Sequence, residues 1–212
     1  MKLTYTETAI SQYLIKILTF TLKFFTMYQL KITLNEITPE IWRRILVSEN
    51  IPLYRLHHII QICMGWTNSH LYYFGEDPHK IGDVHLWNDG ETQPDSVIKV
   101  KDVLKKESET LPYIYDIGDF WQHTILLEKI HAAMKTQRKC IGGERQCPPE
   151  DCGGIRGYYQ VLEILQHPGT DEYREMATWL DGKTDPEFID IRMINAHLGL
   201  LSEYIKEYEE GE

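Results

Sequence analysis

"LPYIYDIGDFWQHTILLEKI", residues 111–130, decides how the chain is built. Two apolar and aromatic runs flank a short polar centre, and the second run alternates strictly. Trp121, His123, Ile125 and Leu127 fall on one face, with Gln122, Thr124, Leu126 and Glu128 on the other. The segment therefore reads as two antiparallel strands joined by a turn at residues 117–120. His123 stands in an otherwise apolar row, so its ring N–H needs a buried partner, and Asp116 and Asp119 bracket the turn just before it. Two readings are open. One is a structural histidine that holds the end of the hairpin. The other is an Asp/His acid–base pair or a set of metal ligands.

Outward toward the N-terminus, "YQLKITL" (residues 28–34) alternates as a strand, and "EIWRRILV" (residues 40–47), after the Thr38–Pro39 break, is its expected hairpin partner. "IPLYRLHHIIQICMG" (residues 51–65) puts Pro52 in a first helical turn and Gly65 past the last, with Leu53, Leu56, Ile59, Ile60 and Cys63 as the buried stripe. "SHLYYFG" (residues 69–75) reads as a strand and "DVHLWND" (residues 83–89) as a shorter one. Toward the C-terminus the period changes to helical. "GYYQVLEILQ" is followed by "TDEYREMATWLDG", where Thr170 suits an N-cap, Asp171 and Glu172 suit the positive helix end, and Gly182 closes it. "DIRMINAHLGLLSEYIKEY" keeps Ile191, Ile194, Leu198, Leu201, Ile205 and Tyr208 on one face. Strands first and helices last imply an α+β fold: N-terminal antiparallel strands with one packed helix, a central hairpin, and C-terminal helices.

Residues 1–26 carry a separate helical period (Ile10, Tyr13, Leu14, Ile17, Leu18, Phe25) and are expected to lie outside the core of a single domain spanning 27–208. The most apolar stretch, "YLIKILTFTLKFF", is interrupted by Lys16 and Lys23 and is shorter than the ~20 residues a bilayer needs. With 22 Lys+Arg against 32 Asp+Glu, the net charge of -10 disfavours nonspecific nucleic-acid binding. A protein partner stays open. Cys63 belongs to the helical stripe, the other three cysteines make an odd set, and no cleavable export signal is evident. Together these fit a reducing cytoplasm.

Those three cysteines lie in "CIGGERQCPPEDCGG", residues 140–154. Cys140, Cys147 and Cys152 would close a zinc site if His123, or failing that His131, supplied a fourth ligand. Their spacing, Cys-x6-Cys-x4-Cys, lacks the Cys-x2-Cys knuckle of zinc ribbons. Glu150 and Asp151, joined by Asp116 or Asp119, offer a different site for Mg²⁺ or Mn²⁺. The plainest reading is a turn: two Gly-Gly pairs and one Pro-Pro pair break up any regular structure, Pro148–Pro149 stiffens the entry, Gly153–Gly154 permits positive φ, and the carboxylates cap a helix near Ile155. Adjacent His57 and His58 point to different sides of their helix, and His70, His85, His167 and His197 are scattered. No P-loop, GxGxxG, GxSxG or HExxH occurs, which removes the common nucleotide, hydrolase and zinc-protease signatures.

Taken together, "YQLKITLNEITPEIWRRILV", "GWTNSHLYYF", "YIYDIGDFWQHTILLE", "CIGGERQCPPEDCGGIRGYYQVLEIL" and "DPEFIDIRMINAHL" resemble the plasmid pRiA4b ORF-3-like family, from about Met27 to about Leu198. The resemblance implies an α+β domain carried on plasmids and near mobile elements, with no established activity. It draws attention to Trp42, Arg43, Trp66, His70 and Tyr115, besides the Asp116–His123 and Cys147–Gly154 motifs. At the position of Cys152 the family also takes apolar residues, which shifts interest from a three-cysteine site toward Glu150, Asp151 and His123. Three functions are then open. The first is a non-enzymatic interaction module serving a mobile element. The second is a metal-dependent hydrolase or nuclease acting through Asp116, Asp119, His123, Glu150 and Asp151. The third is a nucleic-acid-binding regulator, which would need a basic patch.

Overall fold

A computed structural model describes residues 24–211. The expected helical segment in residues 1–26 falls almost wholly outside the described residues. Phe25 and Thr26 open the first strand, β1 (Phe25–Leu34). In β1 Leu30, Ile32 and Leu34 face the core, and Gln29, Lys31 and Thr33 face outward. In β2 (Ile41–Ser48) Ile41, Arg43, Ile45 and Val47 are buried, while Trp42, Arg44, Leu46 and Ser48 are partly exposed. The two strands pair antiparallel from Met27↔Ser48 to Leu34↔Ile41. A one-residue slip would turn every apolar side chain outward, so the alternation itself holds this register.

The central hairpin forms as its alternation implies. β6 (Thr110–Tyr115) and β7 (Trp121–Ala133) pair from Thr110↔Leu126 to Tyr115↔Trp121. β7 then pairs with β1 across a bulge at Gln29/Leu30. With β3 (Tyr72–Phe74), β4 (Ile81–Gly82), β5 (Gln93–Pro94) and β8 (Lys139–Glu144), the strands form one eight-stranded sheet ordered β5-β4-β3-β6-β7-β1-β2-β8. All neighbours are antiparallel except β4 and β5. The protein is α+β, with a mixed sheet.

Helix α1 (Leu53–Met64) starts after Pro52 and ends at Gly65, whose φ of 90° and N–H to the Gln61 carbonyl close the last turn. Leu53, Leu56, Ile59, Ile60 and Cys63 are all buried, and each large apolar side chain among them contributes about 1.5–3 kcal/mol. His57 and His58 do point to different sides, yet both are buried, because α1 is covered on two sides. His57 lies against Tyr72 and Tyr113 of the sheet. His58 lies against Tyr204 and Tyr208 of α7 (Leu201–Gly211).

Four expectations need correction. Residues 83–89 do not form a strand. Val84–Trp87 is a single helical turn, α2, because Asp83 caps it through the His85 N–H and Asn88 closes it at φ 42°. After α3 (Val100–Val103), the glycine pair in the cysteine stretch does not break regular structure, for Lys139–Glu144 is β8. A Cβ on Gly142 would lie 3.5 Å from the Trp42 ring, an ordinary contact, whereas one on Gly143 would come within 2.9 Å of the Trp42 carbonyl. Helix α4 (Gly154–Leu165) has Gly153 as N-cap with no side-chain cap, so the neighbouring carboxylates do not cap it. Beyond α5 (Asp171–Trp179), capped by Thr170 as expected, the last apolar face is split at Leu200 into α6 (Ile191–Gly199) and α7.

Candidate functional site

The β6–β7 turn sets one wall of the site. Asp116 has φ 57°, and its Oδ1 accepts the Gly118 and Asp119 N–H groups at 2.8 and 3.2 Å. Its own N–H donates to the Leu71 carbonyl at 2.9 Å, which ties the turn to the segment entering β3. With Oδ1 engaged in the turn, Oδ2 lies 3.6 Å from His70 Nε2.

The 147–154 segment docks onto that turn. Gly154, at φ 65°, leaves so little room that a Cβ would sit 2.7 Å from the Asp119 carbonyl oxygen. The Gly153 N–H donates to Asp119 Oδ2 at 3.2 Å. Glu150 acts as a clamp. Its Oε2 accepts the Thr67 N–H at 2.9 Å and the Thr67 hydroxyl, and its Oε1 accepts the Tyr115 hydroxyl. Burial, and then the Glu150 carboxylate, push the Tyr115 phenol far above its ordinary pKa, so it stays a donor. Trp66 Nε1–H adds a bond to the Pro148 carbonyl at 2.9 Å. Asp151, the next residue, has φ 58° and places Oδ1 3.3 Å from His70 Nε2. Uncommon left-handed backbone at Asp116 and Asp151 aims both carboxylates at one imidazole.

His70 Nε2 is screened from solvent and lies near both carboxylates, but is aligned for a hydrogen bond with neither. The three donor atoms all lie within 4.8 Å of one another. An imidazole nitrogen and two carboxylate oxygens on separate segments are a donor set for Mn²⁺, Fe²⁺ or Zn²⁺. A nitrogen donor disfavours Mg²⁺ and Ca²⁺, which prefer oxygen throughout.

Other candidates lie elsewhere. His123 is not in this group. Strand alternation puts it on the covered face of β7, where it is 1% exposed and edge-on to Trp66. Its Nδ1 is 3.3 Å from the Tyr113 carbonyl, and burial lowers its pKa to about 4. Asp119 receives the docking N–H of Gly153 and is likewise outside the converging three. Among the described residues no cysteine joins such a group either. Cys140 lies in β8 with its thiol toward the Gly142 carbonyl, Cys147 touches Met64 Sδ at 3.0 Å, and Cys152 turns to the Gly154 carbonyl. All are free thiols. His131, near the end of β7, faces Gln29. His70 carries no local signal among the scattered histidines, and only the family motif marks it. What brings it to Asp116 is the pairing of β3 with β6, which no local pattern encodes.

A mixed-sheet α+β domain with a carboxylate–imidazole site between a hairpin turn and a proline-stiffened loop defines the class. The chain belongs to the plasmid pRiA4b ORF-3-like family, whose model matches residues 26–193. It is 35% identical over 161 residues to the uncharacterized protein y4hQ of Sinorhizobium fredii, covering 73% of this chain and 80% of that one. It also resembles a crystal structure of a protein of unknown function, MM3350, from Methanosarcina mazei Go1. That match has 35% identity and a TM-score of 0.71, and covers 80% of this chain and 98% of the other. Among the described residues no helix is long and apolar enough to cross a membrane.

Proposed function

We propose that the protein binds one divalent transition-metal ion through His70, Asp116 and Asp151, and that it is a metal-dependent hydrolase. The observation that carries this is the His70 Nε2 atom, 3.3 and 3.6 Å from two carboxylate oxygens and hydrogen-bonded to neither. Two carboxylates balance a 2+ charge. The Asp151 side chain is 75% exposed, so one side of the site opens to solvent. Three protein ligands with an open side are the pattern of catalytic rather than closed structural sites. A bound cation would bring the pKa of a coordinated water toward about 7. Glu150, with both oxygens held by Thr67 and Tyr115, holds the loop in place.

The second reading, a protein-interaction module, draws on large apolar side chains left exposed at Trp179, Phe188, Met193 and Leu200. The acidic net charge of -10 continues to disfavour a nucleic-acid role.

Calorimetric titration of chelator-treated protein with Mn²⁺, Co²⁺ and Zn²⁺ tests the cation site. One-to-one uptake is expected, weakened at least tenfold in His70→Ala and Asp151→Ala. No uptake, or uptake untouched by both substitutions, refutes it. Metal-dependent turnover of a panel of ester and phosphoester substrates then separates the hydrolase from an interaction module.

A further inference from the structure

A chain of buried hydrogen bonds runs from the core to the loop that carries His70. Gln61 Nε2–H donates to the Tyr113 hydroxyl oxygen at 3.0 Å. That hydroxyl lies 2.8 Å from His57 Nδ1, and His57 Nε2 lies 2.5 Å from Asn68 Oδ1. An amide oxygen only accepts, so Nε2 carries the proton and Nδ1 accepts from Tyr113, which leaves one consistent direction for the whole chain. His57 and Tyr113 are fully buried, and the His57 ring stacks on Tyr72 at 3.4 Å and 5°. The imidazole therefore has no other orientation to adopt.

Asn68 is 5% exposed and has φ 62°, a left-handed conformation that asparagine adopts more readily than other non-glycine residues. With Asn68 held inward, its neighbours turn outward. Thr67 reaches Glu150, the Ser69 N–H donates to the Tyr115 hydroxyl at 3.1 Å, and His70 meets Asp116 and Asp151.

We propose that His57 and Asn68 are positioning residues for the His70–Asp116–Asp151 site: they fix the backbone of the 67–70 loop so that the His70 imidazole faces both carboxylates. This rests on the cation reading above. Partners that orient a metal ligand from behind it typically change affinity by about 10–100-fold.

The probe is Co²⁺, followed by its visible absorption spectrum and by calorimetry, with thermal melting in parallel. Asn68→Gly keeps the left-handed backbone but removes the acceptor for His57. It should bind Co²⁺ at least tenfold more weakly and with an altered spectrum, and melt about 2–12 °C lower because the buried His57 Nε2–H loses its acceptor, yet still unfold cooperatively. Asn68→Asp retains an acceptor oxygen and should restore most of the affinity. Tyr113→Phe, which deletes one buried oxygen and keeps the ring, should weaken Co²⁺ binding in the same direction. Wild-type affinity and spectrum in both Asn68→Gly and Tyr113→Phe would overturn the positioning role and leave the cation site standing. Failure of the unsubstituted protein to take up Co²⁺ would remove the cation site and this role with it.

Discussion

Gly154→Ala separates backbone conformation from close packing at the place where the proline loop meets the hairpin. Gly154 sits at φ 65°, a region that costs a non-glycine residue about 1–2 kcal/mol. The added methyl would also stand 2.7 Å from the Asp119 carbonyl oxygen, which is fixed backbone. Forcing that contact apart adds about 1–3 kcal/mol. Gly182→Ala is the control, since Gly182 has φ 75° but nothing within 4 Å of the new atom. Both variants carry the conformational cost, and only Gly154→Ala carries the clash. For a chain of this size each kcal/mol moves the melting temperature by about 2–4 °C. Gly154→Ala should therefore melt about 4–20 °C lower than the wild type, and Gly182→Ala only about 2–8 °C lower. Relief of the clash pushes the loop off the turn and carries Asp151 away from His70, so Co²⁺ affinity should fall in Gly154→Ala alone. Circular-dichroism melts and Co²⁺ titration of the pair provide the check. Equal melting temperatures with equal Co²⁺ affinities would refute the close docking of loop on turn.

Stability should fall on acidification through His58. Burial, and secondarily the charge of Arg55, lower its pKa to about 4, so the folded protein keeps it neutral where the unfolded chain takes a proton. The contribution, about 3 kcal/mol, is complete above pH ~6.5 and is lost between there and pH ~4. His123 acts in the same direction, whereas Asp95, raised to about 6 by burial, acts in the opposite one. Urea midpoints at neutral and acid pH should converge in His58→Phe relative to the wild type, and an unchanged acid slope would count against this account. Arg43 is 2% exposed and donates to the buried Cys63 carbonyl and to the part-buried carbonyls of Trp42 and Glu144, so Arg43→Met strands one buried acceptor, weakens two more and should cost about 2–3 kcal/mol in urea unfolding. Thiol titration should find all four cysteines reactive after unfolding, and Cys63, Cys140 and Cys147 protected beforehand; an oxidised pair in protein prepared without oxidant would contradict the free-thiol assignment.

Short-range rules made much of the fold legible. The β1–β2 and β6–β7 hairpins follow from side-chain alternation, and the ends of α1 follow from Pro52 and Gly65, because sterics and burial act there over a few residues. Those rules failed where tertiary contact overruled them. Residues 83–89 have strand-like composition but form a helical turn whose Trp87 Nε1–H donates to the Tyr72 carbonyl of β3. The glycines of β8 look like breakers until Trp42 is laid across them. Composition and motif also marked Asp116 and Asp151 as polar groups at chain turns, and the family as a whole was readable from its motifs. That Asp116 and Asp151 meet at His70, while His123 turns into the core, depends on strand order and on the seating of the 147–154 loop against Asp119. These are long-range choices, made by the packing of the whole sheet, and no window of neighbouring residues contains them.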